Sequence, residues 1–334
     1  MSNYIKHARF KGRIVMIGFG SVGSGVLPLL LRHLAIKANQ ISIVTADNRS
    51  GAIAAEYGVK HIIKPLTRQN YRDVLGPMLA SGDFLLNLSV DVSSLALVDL
   101  AREKDALYLD TCIEPWAGGY VDTAVEPAAR TNYMMRERVL EMRRTNPQDG
   151  PTAVLAHGAN PGLVSSLVKQ ALLNIAADAG EPVATPTTRE DWAELMRDLG
   201  IKVVHIAERD DQLDAIPRQV DEFVNTWSID GFISEGLQPA EMGWGSHEKE
   251  LPPDGRRHSQ GSGSAIYLMR PGAATKVRTW TPRGGTLQAF VITHNEAISL
   301  ADYFTVLEGE TAAFRPTVHY AYHPCDAAVM SLHE

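Results

Sequence analysis

Residues 13–23 read RIVMIGFGSVG: an apolar run closed by three glycines in G-x-G-x-x-G spacing, with helical periodicity from Val22 to Leu34 directly behind it. That spacing serves a tight strand-to-helix turn. Gly18 permits the turn, Gly20 lets backbone N–H groups approach a pyrophosphate, and Gly23 lets the helix pack closely on the strand, while the helix N-terminus favours an anion. A turn that merely needs glycine is the alternative, and the strand-and-helix context weighs against it.

The same alternation continues to about residue 179. Further strands are expected at Gln40–Thr45, Val59–Ile63, Asp83–Val90, Ala106–Thr111 and Thr152–His157, after the first at Arg13–Gly18. Helices are expected at Arg49–Tyr57, Arg68–Leu79, Ser93–Lys104, Ala128–Arg144 and Leu163–Ala179. This order predicts an α/β fold, a Rossmann-type doubly wound parallel sheet whose ligands sit beyond the carboxyl ends of the strands. Pro182, Pro186 and the polar run Thr185–Glu190 are expected as a connection into a second domain, where the pattern turns strand-like, at Ile201–Ala207, Phe223–Ile229, Ala265–Leu268, Lys276–Thr281 and Leu287–Thr293, with Pro252–Gly263 expected as a mobile loop. Two domains follow: a dinucleotide-binding domain over 1–160, with a soft boundary that could extend to 179, and a sheet-rich α+β substrate-binding and dimerisation domain over 161–334.

Composition sets the class. The 334 residues are 45% apolar and 21% charged, ample for two cores, which excludes a disordered or fibrous chain. A net charge of −7 argues against nucleic-acid or membrane partners. Cys112 and Cys325 match no metal-ligand spacing and no disulfide framework, so no metal is expected and the compartment reads as reducing. The basic stretch Lys6–Arg13 precedes only a short apolar run, and no segment reaches the length needed to span a bilayer, so a cytoplasmic location is expected.

Several polar residues fall where the fold argument looks for a ligand. Asp47, two residues past Thr45, could accept a bond from the adenosine ribose and favour NAD, while the neighbouring Arg49 keeps a phosphorylated cofactor open. Asp91 follows NLSV and Glu114 follows LYLDTCI; for Asp91 the competing role is to cap the next helix, and for Glu114 to be a solvated loop residue. Within HGANPG, Asn160 suits an N-cap with Pro161 at the first helical position, and His157 reads as a strand-end histidine. Glu208, Trp227 and Glu235 could together hold an organic ammonium through carboxylates and an aromatic face, although Glu208 could equally pair with Arg209 and Trp227 serve as core. His294 and Glu296 share one face if the strand before them runs on, a spacing that orients an imidazole for proton transfer.

Beyond these spacings, IVMIGFGSVG, NLSVDVSSL, YLDTCIEPW, GANPGLVS, HIAERD, FVNTWSIDGFISEGLQPAE, TWTP, THNEAIS and HYAYHPC resemble bacterial homospermidine synthases of the saccharopine dehydrogenase-like group, across essentially the whole chain. The resemblance implies an aminoalkyl transferase that keeps NAD as a prosthetic group and joins two putrescines with loss of ammonia and no net redox change; spermidine and other diamines stay open as further substrates. It implies a homodimer. It places Trp227 against the substrate ammonium or iminium, Glu208 and Glu235 at the amine ends, and Asp91, Glu114, Asn160 and His294 around the reacting end with Glu296 close by, proton transfer being assigned to Glu208 or His294. The cofactor-binding set is Gly18, Gly20, Ser21, Val22, Gly23, Asp47 and Asn87. Members of the family are usually longer, so a C-terminal part is expected to be lacking. Competing readings are a related NAD(P)-dependent polyamine or amino-acid oxidoreductase, for which the absence of an obvious arginine cluster for a substrate carboxylate argues against the amino-acid substrate, and a catalytically silent dinucleotide-binding protein.

Overall fold

The computed structural model describes residues 4–146, 150–181 and 183–333. Its chain divides into two compact units. The first comprises the described residues through Gly119 together with Val139–Gly158, and the second comprises Tyr120–Arg138 with the remainder from Ala159.

In the first unit β1 (Ile14–Ile17), β2 (Ile41–Thr45), β3 (Lys60–Ile63), β4 (Phe84–Asn87), β5 (Leu107–Asp110) and β6 (Ala153–Val154) form one parallel sheet in the order β3-β2-β1-β4-β5-β6. The run IVMI has no polar alternation because both faces of a parallel sheet are covered. Val15 and Ile17 enter one core with Val44, Leu85, Leu97 and Tyr108, whereas Ile14 and Met16 enter another with Leu27, Ile41, Ile43 and Leu86. Each such side chain contributes about 1.5–3 kcal/mol relative to exposure. The crossovers are α1 (Ser21–His33), α2 (Gly51–Glu56), α3 (Tyr71–Leu75) and α4 (Ser94–Glu103). The helix expected over Arg68–Leu79 is shorter because Gly76 and Pro77 turn its end into a 3-10 segment, Gly76–Met78.

Helix α5 (Asn132–Thr145) is divided between the units after Arg138. The second unit continues with α6 (Leu163–Asp178), α7 (Arg189–Asp198), β7 (Val203–Arg209), α8 (Ile229–Leu237), β8 (Pro239–Gly243), β9 (Gly255–Arg257), β10 (Ala265–Pro271), β11 (Lys276–Thr281), β12 (Gly285–Phe290), α9 (Asn295–Tyr303), β13 (Val306–Glu308), β14 (Thr311–Phe314), β15 (Thr317–His323) and α10 (Asp326–Ser331). Its main sheet runs β9-β10-β8-β15-β12-β11, and β7 lies parallel to β15. Alternation along β15 sends Val318, Tyr320 and Tyr322 into the core shared with Ile206, Phe232 and Phe304.

Three expectations are corrected here. Phe223–Ile229 is no strand: Ser228 caps α8, its hydroxyl accepting from the Gly231 amide at 3.0 Å. Part of Pro252–Gly263 is ordered as β9, because Gly255–Arg257 pairs with Ile266–Leu268 and the His258 ring lies between Tyr133 and Tyr267 at centroid distances of 4.0 and 4.9 Å. Thr185–Glu190, read as a connection, includes Thr188, which caps α7 in a reciprocal box with Asp191. Pro182 lies outside the described residues.

Candidate functional site

In the first unit the glycine turn has the geometry its spacing predicts. Gly18 takes φ +84°, and a Cβ there would stand 2.6 Å from the Leu88 carbonyl oxygen. A Cβ on Gly23 would stand 2.7 Å from the Gly18 oxygen, so helix and turn touch through backbone alone. At Gly20 the reverse holds: a Cβ would meet nothing within 4 Å. Gly20 is also the N-cap of α1, with no side-chain cap and no acidic residue in the first turn. The first-turn amides of Ser21, Val22 and Gly23 therefore face an open cradle that suits a pyrophosphate.

The strand ends beside this turn carry the other expected residues. Asn87 is buried, its Oδ1 accepting from the Ser89 hydroxyl at 2.6 Å. Past β2, Asp47 and Arg49 hold one another, Arg49 Nε donating to Asp47 Oδ2 at 2.8 Å, and this guanidinium keeps the Asp47 carboxyl below its usual range. Both the acid that would meet a ribose hydroxyl and the base that would meet a 2′-phosphate are thus at one spot.

Asp91 and Glu114 are brought together at the carboxyl edge: the Asp91 amide points at Glu114 Oε2 at 3.4 Å. Asp91 is exposed at φ +62° and does not cap α4, because Ser93 does so through its own hydroxyl. Glu114 is buried, not a solvated loop residue, and its amide donates to Ser94 Oγ at 2.9 Å. His157 is an exposed residue whose backbone amide donates to the Asp110 carbonyl at 3.0 Å.

In the second unit β7 and β15 bring four of the expected residues together. Their parallel register sets Glu208 opposite Tyr322 and Ile206 opposite Tyr320, all on one face. The Asn160 side-chain amide donates to Glu208 Oε2 and, at 3.1 Å, to the Tyr320 hydroxyl, which itself donates to Glu208 Oε2 at 2.7 Å. Asn160 is therefore not the cap of α6. Gly162 occupies that place at φ +133°, leaving the Asn160 amide for Glu208. Glu208 does not pair with Arg209, because adjacent strand residues point to opposite faces; Arg209 reaches Asp326 instead, at 3.8 Å.

Trp227 is half-buried, donating from Nε1 to the Tyr322 hydroxyl at 3.2 Å with its ring edge-on to Phe232. A Cβ at Gly231 would stand 2.9 Å from Trp227 Cζ3, so only glycine lets the indole lie over the start of α8. Trp227 lines a cavity of about 290 Å³ with Glu208, Asp210 and Tyr322. Glu235, on α8, is pushed up to about 8 by burial, with the like charge of Glu208 adding to it.

His294 and Glu296 are buried, but not on a continuing strand: β12 ends at Phe290, and His294 is the N-cap of α9. Their side chains still approach, Nδ1 to Oε2 at 3.7 Å, beyond hydrogen-bond reach. Glu296 Oε1 accepts from the Gly162 amide at 2.7 Å and so holds the start of α6. The imidazole stacks on Tyr320 at 4.1 Å, and burial drives His294 down to about 3. Burial thus leaves the imidazole neutral at physiological pH.

Sequence reasoning missed Tyr320 and Tyr322, for which the i, i+2 aromatic pair in HYAYHP was the available signal. It also missed two buried carboxylates. Asp110 accepts from Tyr108 Oη at 2.8 Å and from the Ala156 amide at 2.6 Å, and burial raises it to about 6. Glu241 accepts from the first amides of α5, Asn132 at 2.7 Å and Tyr133 at 3.2 Å, and burial raises it to about 7. Nothing local marks either as internal.

Fold and glycine cradle define a saccharopine dehydrogenase-like protein. Residues 14–154 match the family model of the saccharopine dehydrogenase NADP binding domain, and residues 158–334 that of the saccharopine dehydrogenase C-terminal domain. Within this class the chain is 52% identical over 338 residues to a homospermidine synthase of Blastochloris viridis, covering 100% of this chain and 71% of that one. It is 46% identical to a homospermidine synthase of Mesorhizobium japonicum, covering 99% and 70%. The crystal structure of the homospermidine synthase from Legionella pneumophila in complex with NAD superposes with a TM-score of 0.88 at 46% identity, over 97% of this chain and 68% of that one. The chain belongs to the homospermidine synthase family.

Proposed function

We propose that the chain joins two putrescines into sym-homospermidine with release of ammonia, holding NAD as a prosthetic group. The observation that carries this reading is the aromatic-walled cavity of Glu208, Asp210, Asp211, Trp227 and Tyr322, where three acids outnumber the one base Arg209, with Glu235 close enough to feel the charge of Glu208, in a chain of this family. NAD, when bound, supplies a hydride acceptor that later returns the same hydride, which removes any net redox change. The open cradle at Gly20 and the amides of Ser21, Val22 and Gly23 would hold its pyrophosphate, with Asp47 toward the ribose and Asn87 at the end of β4. The family model is named for NADP, whereas the Legionella relative was crystallised with NAD; Asp47 beside β2 favours the latter.

The chain's own groups would do the following. Glu208, held by Asn160 and Tyr320, presents a fixed carboxylate to an ammonium. The Trp227 face adds cation–π attraction of about 0.5–2 kcal/mol. An amine must lose its proton before it can attack, and Glu235, raised to about 8, is matched to that exchange near neutral pH. His294, neutral, can accept or donate a hydrogen bond without taking up charge. Asp91 and Glu114, at the carboxyl edge of the parallel sheet, add negative charge where ligands of such sheets bind. The homodimer rests on the family resemblance, and spermidine or other diamines are further candidate substrates; a cytoplasmic location rests on Cys112 and Cys325 matching no disulfide framework in the sequence. Among the described residues no helix is long and apolar enough to cross a membrane.

Incubation of purified protein with putrescine and NAD tests the reading. Homospermidine detected by mass without accumulating NADH is expected. NADH without homospermidine would mark a dehydrogenase, and neither product a silent binding protein.

A further inference from the structure

We propose that Tyr320 is the positioning residue of the amine site, setting which oxygen of Glu208 meets the substrate ammonium. The inference rests on the function proposed above and concerns a residue outside the set expected from sequence. Tyr320 is 4% exposed, on the face of β15 that looks toward Glu208 on β7. Its hydroxyl donates to Glu208 Oε2 at 2.7 Å and accepts from Asn160 at 3.1 Å, while Asn160 also donates to Oε2. Both donors therefore load one oxygen. Among the described residues no hydrogen bond falls on Oε1, which leaves that oxygen for a cation. The Tyr320 ring is fixed as well, stacked between His294 at 4.1 Å and Tyr322 at 6.1 Å. Burial and the Glu208 charge push the phenol well above its usual range, so it stays a donor at every working pH. One rigid side chain thus orders the carboxylate, the carboxamide and the imidazole together.

Tyr320→Phe keeps the ring and removes only the donor. A lost hydrogen bond to a charged group predicts putrescine affinity weakened about tenfold or more, read as Kd by calorimetry and as KM in turnover. Bound NAD per chain and melting temperature are expected to stay near wild type, a split that a merely structural role would not produce. A Tyr320→Phe protein with unchanged putrescine Kd overturns the proposal, as does one that loses NAD and affinity together. Wild type that binds putrescine without forming homospermidine sinks the proposed function, while the Kd ratio of the two proteins still decides the role of Tyr320. Wild type that binds no putrescine overturns both.

Discussion

On the function proposed above, Glu235 is expected to make diamine binding a proton-releasing event. With its carboxyl raised to about 8, roughly nine in ten molecules carry the proton at pH 7 before substrate arrives. An alkylammonium keeps its charge there, its own pKa lying near that of lysine, about 10.4. When the ammonium enters, the ion pair favours the carboxylate and the proton leaves, at a cost of about 1.4 kcal/mol for the one unit between pH 7 and 8. Calorimetric titration of the NAD-loaded protein with putrescine, in buffers of differing ionisation enthalpy, should report release of close to one proton at pH 7. Affinity should rise about tenfold from pH 6 to 7 and level off above about 8. Glu235→Gln should release none and lose that slope. The raised carboxyl also bears on the free protein: its contribution to stability is complete below the unfolded value of about 4.5 and is lost as pH rises through about 8. Wild-type binding with no proton release, or equal release by Glu235→Gln, would refute the reasoning.

Three further outcomes follow from the geometry. Gly20→Val should melt near the wild-type temperature in the absence of cofactor yet purify without NAD, because a Cβ there meets no protein atom within 4 Å and the branched side chain would stand in the cradle; Gly18→Ala, at φ +84° and 2.6 Å from the Leu88 oxygen, should lower the melting temperature itself. Trp227→Ala should weaken putrescine binding about 2- to 30-fold, the equivalent of ~0.5–2 kcal/mol, with Trp227→Phe intermediate and NAD content unchanged in both. Asp47→Ser should remove a carboxylate that repels a 2′-phosphate beside Arg49 and shift the NADP-to-NAD affinity ratio upward by about tenfold or more in equilibrium dialysis; an unchanged ratio would remove Asp47 from the ribose site.

Much of this molecule is visible in one dimension because the interactions that specify it are local. The run IVMI, with no polar partner at alternate positions, already demands a strand covered on both faces, and glycines at 18, 20 and 23 demand a turn that lets a helix begin against it. The six parallel strands appear within a few residues of where the periodicity puts them, as with Ile41–Thr45 and Leu107–Asp110. The expected carboxylates and Trp227 were legible as residue types, since an ammonium needs charge and an aromatic face wherever it binds.

What the string could not convey is which partner each polar group takes, because partners come from distant sequence. Asn160 looks like a helix cap until β7 and β15 align and offer it Glu208, 48 positions away, whose charge outbids a cap that Gly162 can supply without a side chain. Phe223–Ile229 has strand composition, but Ser228 and the glycine at 231 start a helix there and lay Trp227 across it. Tyr320, Asp110 and Glu241 owe their burial to packing of whole elements, and so do the raised carboxyls and the neutral His294: desolvation is a property of the folded surroundings. Sequence alone determined the layered α/β frame, the glycine turn and the family; tertiary structure alone decided which side chains are buried, which partner each polar group takes and which carboxyls are raised.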